Sequence, residues 1–169
     1  MLSGNVKTRK ELFFTAYGTP RPQGSKRHVG NGRLIEASDV KPWRATITNA
    51  IFKAWMETGD ERVFLEPVVV RATFFLPRPK TVKRPLPSVA PDLDKLCRAL
   101  GDALSVDSHA VQDDALIVKW EASKVYAPDP RDAGVRVSVR LATPEDLSEA
   151  GETTFAFLED SEICEHCGK

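Results

Sequence analysis

The chain has 169 residues, and its 24 Lys and Arg side chains balance 24 Asp and Glu. With 41% apolar residues it can bury a core, and its length fits one domain with an appendage. The opening MLSGNVKTRK is polar and the longest apolar run, near PVVVRATFFL, is short and carries an arginine; neither resembles a secretion signal or a membrane span, and a cytoplasmic protein with no membrane partner is expected.

The zero net charge is a balance of unlike ends. Residues 1–90 hold 16 basic against 7 acidic side chains, whereas residues 143–169 hold 1 against 8. A basic body with an acidic end is one pattern of nucleic-acid-binding chains.

Residues 1–10 read as an extension and residues 11–17, ELFFTAY, as a first strand. The segment TPRPQGSKR that follows has prolines and a glycine that disfavour helix and central strand alike, so an extended loop carrying Arg21, Lys26 and Arg27 is expected. Gly30 and Gly32 suggest a hairpin turn into a strand over 33–37. Ser38 or Asp39 can cap a helix from 41 to 57, with Pro42 in its first turn. In that helix Trp43, Ile47, Ala50, Ile51, Ala54 and Trp55 recur at helical spacing and read as core.

Pro67 opens a strand to Leu76. The stretch 77–91 then carries five prolines together with Arg78, Lys80, Lys83 and Arg84. It resists helix and ladder and reads as an exposed, partly extended loop leading into Asp92. In PDLDKLCRALGDAL, Leu93, Leu96, Cys97, Leu100 and Leu104 fall on one helical stripe, with Asp94, Lys95, Arg98 and Asp102 opposite. Asp92 is a suitable N-cap, its carboxylate able to accept from an orphan N–H of the first turn. SVDSHAVQDD reads as a loop and ALIVKWEASKVY as a strand, which puts the pair Asp113 and Asp114 where loop becomes strand. GVRVSVRL, residues 134–141, alternates valines with charged and polar residues, and antiparallel pairing with residues 115–126 across the PDPRDAG turn is expected.

Past Thr143 regular periodicity fades, and residues 143–169 read as a flexible acidic tail that competes with nucleic acid for the basic loops. Its Cys164, His166 and Cys167 make only half of a four-ligand zinc set, so zinc would need donors elsewhere or a second chain. The odd cysteine count makes no disulfide framework.

Taken singly, an Asp at a helix start is explained by capping and the helix dipole, and an Asp pair before a strand by a solvated turn. Together, however, PDLDKLCRALGDAL and QDDALIVKWEASK resemble the RusA family of Holliday-junction endonucleases, whose signature runs D-x-D-N-L-x-K-A, then D-A-L, then D-D before a strand. The likeness covers Asp92 to about Lys124 well, and the G-x-P-x-P-like segment at Gly18, Pro20 and Pro22 more loosely. The resemblance implies that Asp92, Asp94 and Asp114 are metal ligands, with Asp113 beside them. It implies that Asp102, two turns from Asp94, is a supporting residue. At the family's catalytic lysine stands Arg98, which forks onto phosphate but cannot shuttle a proton. Where the family has Asn stands Lys95, whose ammonium could in part replace the missing one.

Carboxylates alone suit Mg²⁺, which prefers hard oxygen donors and keeps several waters, and Mn²⁺ could substitute. Carboxylates gathered at short range repel one another until a cation neutralises them. The resemblance implies an α+β single domain over residues 11–142, a mixed sheet with two main helices, in an intertwined homodimer. Its activity would be Mg²⁺-dependent resolution of four-way DNA junctions by paired nicks, in recombination and repair, in a bacterial or phage setting. Arg21, Lys26, Arg27, Arg78, Lys80, Lys83 and Arg84 would grip phosphates. Two alternatives stay open: a DNA-binding relative without turnover, favoured by Arg98 and Lys95, and a nuclease of broader branched-DNA or flap specificity.

Overall fold

The computed structural model describes residues 11–24 and 40–148, and the backbone alone at 27–29 and 33–35. Residues 1–10, Lys26, the Ser38 or Asp39 cap and residues 149–169, with Cys164, His166 and Cys167, lie outside the described residues. A four-stranded mixed sheet orders its strands β1 (Glu11–Tyr17), β6 (Gly134–Leu141), β4 (Val68–Leu76) and β5 (Ile117–Tyr126). A separate two-stranded ribbon joins β2 (Arg27–Val29) to β3 (Arg33–Ile35) antiparallel, as the glycines between them suggest. The helices are α1 (Val40–Thr58) and α2 (Leu93–Asp102).

Alternation decides which face of the sheet is buried. Leu12, Phe14 and Ala16 of β1, Val135, Val137 and Val139 of β6, and Val68, Val70, Ala72 and Phe74 of β4 point to one side. They join Trp43, Ile47 and Ile51 of α1 and Leu96, Leu100 and Leu104 of α2 and its continuation in one core. The other face is only partly covered and carries Phe13, Thr15, Arg71, Thr73 and Arg136, with the Arg136 guanidinium 4.9 Å from the centre of the Phe75 ring.

The expected antiparallel pairing of the last strand with residues 115–126 is not what forms. β6 pairs antiparallel with β4 on one side and β1 on the other, while β5 pairs parallel with β4. Composition supplies the reason. β4, VVVRATFFL, is the most apolar strand and gains most from a neighbour on each side, whereas β5 is polar enough to stand at the edge. The seven residues between β5 and β6 are long enough to pass over the end of β4, where Ala127 N–H donates to Leu76 O at 2.8 Å.

Two further departures concern α2. Asp92 occupies the N-cap position but makes no side-chain capping bond. Its carboxylate accepts from Lys95 Nζ at 2.6 Å instead, the nearby ammonium outcompeting an amide donor. The helix also does not end before SVD: a wider π-type turn, Ala103–Asp107, continues it. Ser108 closes that turn, its hydroxyl donating to Ala103 O at 2.7 Å.

Candidate functional site

The connection into α2 is tied down from both sides. Lys124 of β5 donates to the carbonyls of Val89 and Pro91, each at 2.8 Å, so the chain reaches Asp92 on a fixed path through a cis Ala90–Pro91 bond. Gln23 of the proline-containing segment is buried, and its backbone N–H donates to Lys95 O at 3.0 Å. At the far end of the helix, Phe64 N–H donates to Ala110 O at 2.8 Å and Gln112 N–H to Phe64 O at 3.0 Å. This clamp fixes the loop that delivers Asp113 and Asp114. Asp113 then caps the short 3₁₀ turn Asp114–Leu116, its carboxylate accepting from Ala115 N–H at 2.8 Å.

Between α2 and β5 these constraints leave a cleft of about 670 Å³. One wall is α2, with Leu93, Asp94, Cys97, Arg98, Gly101 and Asp102; the other is Asp114, Ile117, Trp120 and Ala122. The charged stripe of the helix thus faces the strand across an open groove. Of the acidic residues singled out in the sequence, Asp94 and Asp114 share this cleft with Asp102, while Asp92 and Asp113 do not line it. Asp94 and Asp102 stand two turns apart on the helix, about 12 Å of rise, so the carboxylates are spread along the groove. Among the described residues, no three His, Cys, Asp or Glu side chains are gathered into a ready-made metal cage.

The electrostatics follow from burial and partners. Asp102 is half-buried, and burial pushes its carboxyl above the ordinary range; Arg44 and Arg98 pull it down, while the like charges of Asp107 and Asp114 add to the rise. Asp92 is held below its ordinary value, first by its hydrogen bond to Lys95. The same bond keeps the Lys95 ammonium protonated beyond its usual range. Burial raises the Cys97 thiol to about 11, with Asp94 adding to the rise, so Cys97 is neutral at physiological pH.

Sequence reasoning missed the anchor of this region. Arg44 of α1 donates from Nε to Asp107 Oδ2 at 2.6 Å, from Nη2 to Asp107 Oδ1 at 2.7 Å, and from Nη1 to Asp102 Oδ2 at 3.2 Å. A bidentate fork on one carboxylate with a third bond to another fixes the end of α2 against α1. The available signal was a lone arginine one position after Trp43 on an otherwise apolar helix stripe.

The basic residues separate into two kinds. The Arg78 guanidinium donates to the carbonyls of Val82, Lys83 and Arg84 at 3.0–3.1 Å and lies 5.3 Å from the Tyr126 ring centre. It therefore shapes its own loop. Arg84 donates from Nε to Tyr126 Oη at 3.1 Å. Lys80, Lys83 and Arg21 are exposed. Arg27 opens β2 and its side chain, like Lys26, is outside the described residues.

The donor types in the cleft fit a hard divalent cation. Its ionisable acids are carboxylates, its one thiol is protonated, and no imidazole is present. The family model described as Endodeoxyribonuclease RusA matches residues 15–140, which take in the whole sheet apart from four residues at the outer end of β1 and the last residue of β6, together with both helices and both walls of the cleft. No curated protein matches the chain.

Proposed function

The chain belongs to the RusA endodeoxyribonuclease family, and from that premise we propose that it hydrolyses DNA phosphodiesters at four-way junctions, as a homodimer that makes paired nicks with Mg²⁺. The observation that carries this reading is the meeting of Asp94 and Asp102 from α2 with Asp114 from the start of β5 on one groove. A divalent cation held there would supply charge neutralisation for the phosphoryl oxygens and an activated water.

The chain's own residues divide the remaining work. Asp94 and Asp114 are the proposed ligands facing each other from helix and strand, with Asp102 supporting them from the far end of the groove. Asp92 belongs to the set once it exchanges Lys95 for the ion, and Asp113 sets the turn that presents Asp114. Arg98, exposed on the same helix face, offers a planar fork to a non-bridging phosphate oxygen. It stabilises charge and moves no proton. Lys95, held protonated by Asp92, likewise acts as a cation. Lys80, Lys83, Arg84 and Arg21 contact phosphates, giving affinity that falls with salt and depends little on base identity. Arg78 contributes by holding their loop in shape. Two symmetric cuts on a two-fold junction need two identical sites, which a C2 dimer provides.

The test is cleavage of a synthetic four-way junction by wild type and by Asp92→Asn, Asp94→Asn and Asp114→Asn. Loss of paired nicking by at least ~10²-fold with junction binding retained supports the assignment. Unchanged cleavage by Asp94→Asn or Asp114→Asn refutes it. A second reading rests on Arg98 and on the Lys95–Asp92 ion pair: a DNA-binding relative without turnover. It predicts junction binding with no nicked product under any divalent ion.

A further inference from the structure

The cleft is larger and more apolar than a hydrated ion alone requires. An ion with six waters, at about 30 Å³ for each water, fills on the order of 200 Å³, against a groove of about 670 Å³. Leu93, Cys97 and Gly101 on the helix face Ile117, Trp120 and Ala122 on the strand. The carboxylates of Asp94, Asp102 and Asp114 share the groove with this apolar surface.

A local irregularity of the sheet builds this surface. Val68 pairs with Ile117, but its neighbour Val69 pairs with Lys119, so Val118 is an inserted residue that bulges out of the ladder. Without the extra residue, Ile117 and Trp120 would point to opposite faces. With it both point to the helix side, opposite Val68 and Val70. Trp120 is only half-buried and lines the cleft, while its Cζ2 edge packs against the helix at Gly101, a Cβ there lying 3.8 Å away.

The geometry points to a nucleobase-binding slot in which Trp120 stacks an unpaired base next to the phosphate held at Asp94 and Asp114. This deepens the nuclease reading and rests on it. A phosphate bridged to those carboxylates by a cation carries its sugar and base into the same groove, and the Trp120 indole is part of the neighbouring apolar lining. Taking a base out of the stack costs a few kcal/mol, least where pairing is already disturbed, and stacking on an aromatic side chain tolerates any base identity. Trp120 is thus assigned a specificity role: it favours DNA with a displaced base over continuous duplex.

The experiment walks a single abasic nucleotide through the branch point of a synthetic junction and measures Kd with Ca²⁺ in place of Mg²⁺, an oxygen-binding cation that supplies the bridge between carboxylates and phosphate, for wild type, Trp120→Phe and Trp120→Ala. At one position next to the branch, wild type should lose about 5- to 150-fold in affinity. Trp120→Ala should be weakened as much on the intact junction and be indifferent to the abasic nucleotide there, while Trp120→Phe behaves as wild type does. Should Trp120→Ala fail to fold, Trp120→Leu, which keeps apolar bulk without a π face, replaces it. Penalties that multiply, or no abasic position that matters, overturn the slot. Nicking with Mg²⁺, scored on the same junctions, separates the two ideas: coupling without nicking keeps the slot and refutes the nuclease, and nicking without coupling refutes the slot alone.

Discussion

Replacing Arg44 with Ala removes the cation that holds the far end of α2. Its side chain is 13% exposed, and those of Asp102 and Asp107 are 25% and 31% exposed. Breaking a fully buried ion pair costs about 3–5 kcal/mol and an exposed one about 0.2–1. Carboxylates with this partial access to water lie between, so a loss of about 2 kcal/mol is expected, seen as a fall in melting temperature of about 4–8 °C. The pH dependence identifies the cause. Asp102 already titrates above its ordinary value in the folded state, so its ionisation opposes folding, and without Arg44 it opposes folding more strongly. The deficit of Arg44→Ala should therefore be largest at neutral pH and narrow as pH falls toward about 4, as Asp102, which titrates above its ordinary value in the folded state, takes up its proton. Urea unfolding of both proteins at pH 7 and near pH 4 measures it. A deficit under ~0.5 kcal/mol, or one of equal size at both pH values, would refute the electrostatic account and leave only the packing of the arginine stem.

Asp146 accepts from Arg140 Nη1 at 2.8 Å and from Thr143 N–H at 2.7 Å, with Arg140 the main cause that holds it well below the usual carboxylate range. Its stabilising effect is complete above the unfolded value near 4 and is lost as pH falls toward the folded one, so Asp146→Asn should be less stable than wild type by a constant margin from pH 5 to 8 that shrinks only in acid. A melting series across pH checks this. Gly134 has φ +156, and a Cβ there would lie 2.1 Å from Ala16 O across the β1–β6 ladder; Gly134→Ala should cost about 2 kcal/mol or more, measured by urea unfolding, and a cost under ~0.5 would contradict the register. Removal of residues 149–169, which spares Asp146, should tighten junction binding in low salt if the acidic tail competes for the basic loops; an unaltered Kd counts against that competition.

Much of the fold was legible because its signals are periodic. The valine alternation of GVRVSVRL, the tryptophan-containing stripe of α1 and the leucine stripe of α2 each state which face is buried, and a local rule suffices to read them. Strand partners were not legible in the same way. Pairing of β5 with β4 depends on how several strands compete for one apolar strand, which no single segment encodes. At the site, the motifs group Asp92, Asp94, Asp113 and Asp114 as one set, of which Asp94 and Asp114 line the cleft; the placement of Asp92 turns on Lys95 three residues later, an ion pair that defeats the capping rule. Arg44 stood out only as a charge on an apolar stripe, and its partners, 58 and 63 residues away, could not be read from it. Trp120 read as an ordinary strand residue because the bulge that turns it inward leaves no mark in composition.

The central claim is that carboxylates from the start of α2 and the start of β5 share one divalent cation. Anomalous diffraction from crystals of the full chain soaked in Mn²⁺ tests it most directly. A peak in the groove between Asp94 and Asp114, lost in Asp114→Asn, is the predicted result; a groove empty at saturating Mn²⁺, or an ion bound only elsewhere, would contradict it.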